Sequence, residues 1–272
     1  MATFFGEIVT FPSRAVDEEE DDDDVDQVTA ICQPVLRWCP EIRLEISKSP
    51  DKTISCKTLI VAVGPVATGF IESYVLSKDD DTLGVVVSGM KQTDGNSFSQ
   101  TMHTDKSCFI YRLRQHRDIV VCQCNSKVSA EQAFIWTQQV FSNIKQSSQV
   151  IILSSLQVTE YKSHSRNHTT PFLNCLCSST LKTKPVCPYL SQPNTVADLP
   201  AAILNYCQVY GIAAVLYVTY SDTAYLEVAS MKSFLPLLDV QPLKDIVKIN
   251  SNIDFTLKKL VELNTSQNPL YL

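Results

Sequence analysis

Thr58-Leu59-Ile60-Val61-Ala62-Val63-Gly64-Pro65 decides the fold class. A continuous apolar, β-branched run with no polar alternation suits a strand covered on both faces, which happens when helices pack above and below a sheet. Gly64-Pro65 ends the run as a turn. Ala67 to Leu76 then predicts a helix with Phe70, Ile71 and Tyr74 on its inner face.

The same succession of strand and helix recurs along the chain. Leu83–Val87, Cys108–Leu113 and Ile119–Gln123 read as strands, the last two joined by a charged turn around Gln115-His116-Arg117-Asp118. Ser129 followed by Gln132 has capping-box form and opens a helix to about Lys145. Its apolar stripe is read as Phe134, Val140, Phe141 and Ile144, with Trp136 on a neighbouring face. Val150–Leu153 is a buried-type strand. Asp198 reads as the cap of a helix with Pro200 in its first turn and Gly211 just past its end. Ala213–Val218 is the most apolar strand, and Ile253, Leu257, Leu260 and Val261 mark a final amphipathic helix. Glu41-Ile42-Arg43-Leu44-Glu45-Ile46 alternates polar and apolar residues and reads as a half-buried strand. Together these predict an α/β domain whose largely parallel sheet is covered by helices. The organisation expected is a tail over residues 1–40, one domain over 41–263 with a long loop near 162–194, and a C-terminal tail over 264–272.

Charge is concentrated in one place. The formal net charge is −6, yet Asp17 to Asp24 is an unbroken run of eight acids, and the remainder of the chain sums to +2. Such a run repels itself and has nothing to bury, so a disordered segment is predicted, either a docking arm for a basic partner or a solvated tail. Composition excludes fibrous and wholly disordered classes, and no Lys/Arg cluster favours nucleic acid. The first residues lack a signal-peptide pattern, and Leu59–Leu76 is broken by Gly64, Pro65, Gly69 and Glu72, so the expectation is a cytoplasmic protein with no membrane insertion.

Chemistry-bearing motifs are few. Gly64 and Gly69 have P-loop spacing, but Phe70 and Ile71 stand where a phosphate site needs Lys and Ser/Thr. The histidines His103, His116, His164 and His168 fall in polar segments without a recognisable triad. Cys175, Cys177 and Cys187 with His164 or His168 could supply four metal ligands, although ten cysteines in a chain of this length read mainly as reduced, buried thiols. No catalytic, cofactor-binding or metal residues are assigned. A phosphorylase-like or hydrolase-like α/β enzyme stays as the alternative, on the α/β pattern and the Gly64–Gly69 turn. The ending Leu270-Tyr271-Leu272, stiffened by Pro269, is suited to inserting an apolar side chain, a Tyr and a terminal carboxylate into a partner.

Several segments together resemble the proteasome assembly chaperones. They are Phe4-Phe5-Gly6-Glu7 with the acidic run after it, Val121-Cys122-Gln123-Cys124, Val158-Thr159-Glu160-Tyr161-Lys162, Gln192-Pro193-Asn194, and above all Asp198-Leu199-Pro200-Ala201-Ala202-Ile203-Leu204-Asn205-Tyr206-Cys207-Gln208-Val209. Leu83–Ser107 and the segment holding Cys175, Cys177 and Cys187 match least. The resemblance implies a three-layer α/β fold of phosphorylase-like architecture without the enzyme's site. It implies a non-enzymatic, cofactor-free chaperone of the 20S proteasome α-ring, heterodimeric with proteasome assembly chaperone 2, that prevents off-pathway α-ring dimers. Contact with the proteasome subunits α5 and α7 is implied, as is some association with the endoplasmic reticulum. The family's hydrophobic-Tyr-any motif falls on Leu270, Tyr271 and Leu272, which would enter a pocket between α-subunits.

Overall fold

The computed structural model describes residues 33–87, 107–125, 128–145, 148–162, 169–223, 225–248 and 252–266. The acidic run Asp17–Asp24, Cys32, His103, His164, His168 and the Leu270–Leu272 motif lie outside them. Strands are β1 (Val35–Trp38), β2 (Thr58–Val63), β3 (Asp81–Val87), β4 (Ser107–Arg112), β5 (Ile119–Cys124), β6 (Gln149–Gln157), β7 (Phe172–Cys177) and β8 (Ala214–Ser221). The first four helices are α1 (Pro40–Lys48), α2 (Pro65–Tyr74), α3 (Ala130–Ser142) and α4 (Asp198–Val209). Short helical turns at Val228–Lys232, Leu235–Asp239 and Leu243–Ile246 lead into a C-terminal helix, Ile253–Ser266.

The strands form one eight-stranded sheet in the order β1-β3-β4-β5-β2-β6-β8-β7. β5, β2, β6 and β8 run parallel at its centre. Antiparallel strands complete both ends: β4, β3 and β1 beyond β5, and β7 beyond β8. The sheet is therefore mixed, with a parallel centre. Register explains the continuous apolar runs. Leu59 and Val61 point into one core with Val120, Cys122, Val150 and Ile152, covered by α1, α3 and α4. Ile60 and Ala62 point the other way, into a core with Val121, Ile151, Leu153 and Phe70, covered by α2 and the C-terminal helices. A strand buried on both faces favours apolar side chains at nearly every position.

Six local expectations are corrected. Glu41–Ile46 is part of helix α1, because Pro40 occupies its first turn and buries Ile42 while Glu45 turns towards the sheet. The stretch 1–40 contains a sheet strand, β1, which pairs with β3. The stretch 162–194 contains β7, paired with β8. On α3 the buried face is Ala133, Trp136, Thr137, Val140 and Phe141, so Trp136 is the inner residue, whereas Phe134 is 55% exposed. Ser129 is the N-cap of α3, but its side chain makes no capping hydrogen bond. For α4 the N-cap is Ala197, and Asp198 is the first helical residue, with a φ of 56°. Gly211 ends α4 at a φ of 67°, as its position predicts.

One buried ion pair ties α1 to the sheet. Arg112, at the end of β4, donates from Nη1 and Nη2 to the two carboxylate oxygens of Glu45, each at 2.9 Å. The Arg112 side chain is 5% exposed and that of Glu45 39%. The bidentate hydrogen bonds hold the Glu45 carboxyl below its usual pKa. A lowered folded-state pKa means that this stabilisation is complete above the free glutamate value of about 4.3 and is lost as pH falls through the folded value. Glu45→Ala strands the buried guanidinium and is expected to cost about 2 kcal/mol at pH 7, between the values for exposed and fully buried pairs. Urea unfolding of both proteins from pH 7 to pH 3 checks this: the gap narrows with acid, and an equal midpoint at pH 7 refutes it.

Candidate functional site

Two regions of the described structure are candidate functional sites: the helix that precedes the Leu270–Leu272 motif and a cavity at the carboxyl ends of the parallel strands.

The C-terminal helix lies on the α2 side of the sheet. Leu257 is fully buried in that core, with Ile253, Leu260 and Val261 packed against it. Lys232 Nζ and Asp254 Oδ1 pair at 2.7 Å, both with exposed side chains. The amphipathic spacing read from the sequence thus docks the helix, and residues 267–272, with the Leu270–Leu272 motif, follow directly after it. On the opposite side of the sheet, Phe134 of α3 and Val209 of α4, together with Tyr210, are exposed apolar side chains. Beneath them Phe141 and Tyr206 rings lie 5.0 Å apart and Tyr206 and Tyr210 rings 4.3 Å apart.

The cavity, about 470 Å³, opens where β2, β5, β6 and β8 end and where α2 and α4 begin. Ligands of open α/β sheets bind in this position. Gly64, at a φ of 84°, lets the chain turn from β2 into α2. Ser154, Ser155, Ser221 and Thr223 bring hydroxyls to the wall, and Glu160 and Asp198 bring carboxylates. Ser221 Oγ donates to Thr223 O at 2.9 Å, and Glu160 Oε1 accepts from Gln157 N at 3.4 Å. No lining residue among those described is a histidine or lysine that would activate a serine. Gly69, the second glycine of the P-loop-like spacing, lies inside α2, where an added Cβ would come 2.8 Å from Met231 Sδ. Phe70 and Ile71 are fully buried. That glycine serves helix packing, not a phosphate.

The cysteines are placed as core residues more than as reagents. Cys122 and Cys124 Sγ atoms lie 3.7 Å apart, fully buried. Burial pushes the Cys56 thiol up to about 11 and the Cys207 thiol up to about 12, far from a thiolate at neutral pH. Cys175, Cys177 and Cys187 come near one another through β7, but among the described residues no group of three or more His, Cys, Asp and Glu is arranged to hold a metal ion. His164 and His168, the further ligands weighed in the sequence, are outside the described residues. No helix among the described residues is long and apolar enough to cross a membrane.

The fold has counterparts of known structure. A Thermoplasma acidophilum protein with unknown function superposes with a TM-score of 0.58 at 13% identity, covering 84% of this chain and 91% of that one. Pyrococcus furiosus PbaA, described as an archaeal homolog of proteasome-assembly chaperone, gives 0.55 at 10% identity over 86% and 90%. The architecture is that of a class of α/β proteins which includes proteasome-assembly-chaperone homologues. Sequence comparison is more specific. A family model described as Proteasome assembly chaperone 4 matches residues 1–272. Proteasome assembly chaperone 1 of Xenopus laevis is 38% identical over 288 aligned positions, covering all of both chains, and that of Homo sapiens is 31% identical over 285, covering 99% of each. The chain belongs to the proteasome assembly chaperone family.

Proposed function

We propose that this chain is a non-enzymatic chaperone of the 20S proteasome α-ring, acting in the cytoplasm as a heterodimer with proteasome assembly chaperone 2. The observation that carries this reading is the end-to-end match at 38% identity to Xenopus laevis proteasome assembly chaperone 1. Leu270, Tyr271 and Leu272 are assigned to the α-subunit pocket, with the proteasome subunits α5 and α7 as first contacts. Tyr supplies contact area and a hydroxyl, Leu270 fills an apolar slot, and the carboxylate pairs with a lysine. No cofactor is needed, because a chaperone that binds the correct ring better than its competitors shifts assembly by that difference alone. The same selectivity disfavours off-pathway α-ring dimers.

Reconstitution tests the reading. Co-expression of this chain with proteasome assembly chaperone 2 and the seven α-subunits is expected to give a co-eluting complex on size-exclusion chromatography and a native-gel band of a single α-ring. Elution of this chain apart from every α-subunit overturns the proposal.

A further inference from the structure

The cavity at the carboxyl ends of the parallel strands has no part in the tail contact proposed above, and its chemistry is specific. We propose that it binds a neutral, hydroxyl-rich small molecule with an apolar face, a glycoside in chemical class, held by Ser154, Glu160 and Asp198. Its volume of about 470 Å³ falls in the range of small-molecule sites. Ser154 lines it at 5% exposure, and among the described residues its hydroxyl makes no hydrogen bond. A hydroxyl that opens to the cavity from a buried side chain keeps its donor and its acceptor sites for a bound group.

Two further donors converge there. α2 and α4 lie on opposite faces of the sheet, yet both begin at this cavity, and neither has a side-chain cap. Their first-turn N–H groups have no helix carbonyl to reach. Thr68 N already bonds Gly64 O at 3.0 Å, which leaves the amides of Val66 and Ala67 ahead of it.

The acceptors decide the charge of the ligand. Glu160 and Asp198 bring two carboxylates to the same wall. A phosphate would gain from the helix amides and be repelled by both carboxylates. A hydroxyl donates to a carboxylate and accepts from an amide, so a ring carrying several hydroxyls satisfies both sets at once. Val63, Val128 and Val196 give the apolar wall on which its less polar face would pack.

Isothermal titration of the full chain with paired probes tests this. Adenosine is compared with adenosine 5′-monophosphate, and methyl β-D-glucopyranoside with glucose 6-phosphate. At least one neutral member is expected to bind saturably in the submillimolar range, with its phosphorylated partner at least tenfold weaker. Ser154→Ala and Glu160→Gln are each expected to weaken that binding fivefold or more, with unliganded melting unchanged. Should Ser154→Ala fail to fold, Glu160→Gln, on an exposed side chain, carries the comparison. No saturable binding by either neutral probe overturns the proposal. So does a phosphorylated probe that binds as tightly as its neutral partner, or wild-type affinity in the folded variants. Proteasome α-subunit capture is scored separately, so failure here leaves the chaperone function standing.

Discussion

Removal of Leu270, Tyr271 and Leu272 is expected to lower capture of proteasome α-subunits at least tenfold while the protein remains folded and paired with its partner chaperone. On the proposed mechanism three contributions would disappear together: a leucine in an apolar slot, a tyrosine with its contact area, and a charge-assisted hydrogen bond to the carboxylate. A tenfold loss corresponds to only about 1.4 kcal/mol, less than full burial of one such apolar side chain contributes, so the expectation is a lower bound. Stability is spared because the helix before the motif is held by Leu257 in the core and by Lys232 against Asp254, neither of which is removed. Tyr271→Ala isolates the ring from the carboxylate and should fall between the truncated and intact proteins. Quantitative pull-down with purified α-subunits gives the answer, and equal capture by the truncated chain removes the tail from the mechanism.

Phe70→Ala is expected to act on stability instead. Phe70 is fully buried in α2, its ring 5.1 Å from that of Tyr74 and 5.3 Å from that of Phe234. It sits in the core that also receives Leu257 of the C-terminal helix. Deleting a buried ring removes its transfer free energy and leaves a cavity that rigid neighbours fill only in part, at a cost of about 3–5 kcal/mol. Against a typical total of about 5–15 kcal/mol that is a large fraction. Urea unfolding measures it directly. A loss below about 1 kcal/mol would mean that α2 and the C-terminal helix close over the gap, contrary to the packing described.

Much of the architecture was legible because its central strands are built on nearly continuous apolar runs. Thr58–Val63 and Ala214–Val218 admit only a doubly covered strand, and the Asp198–Val209 helix announces itself by Pro200 and Gly211. Short alternating segments were not legible. Glu41–Ile46 satisfies a period of two over six residues, too few to exclude a helix. The deciding signal was Pro40, together with Glu45 needed opposite Arg112, a contact 67 positions away. β1 and β7 are edge strands whose partners are distant in the chain, and nothing local specifies them. On α3 the spacing 133, 136, 137, 140, 141 is a complete helical stripe. Phe134 drew attention by its size although it stands one position off that stripe.

The candidate site divided in the same way. Gly64-Pro65 was readable as a turn, and the structure adds that this turn forms one lip of a cavity completed by Ser154 and Glu160 from one other part of the chain and Asp198 from a second. No linear motif encodes that convergence, since it depends on β6 running past the end of β2 to pair with β8 as far as Gln157 and Ser221.

The docked C-terminal helix also sets a leash length. Six residues, 267–272, follow Ser266, and a fully extended chain spans no more than about 3.5 Å per residue, so the terminal carboxylate stays within about 20 Å of the helix end. A receptor that accepts it must therefore approach close to that end of the helix. On the proposed tail mechanism, such a plug would hold a subunit at this chain's own surface and would not reach across a ring to a distant one.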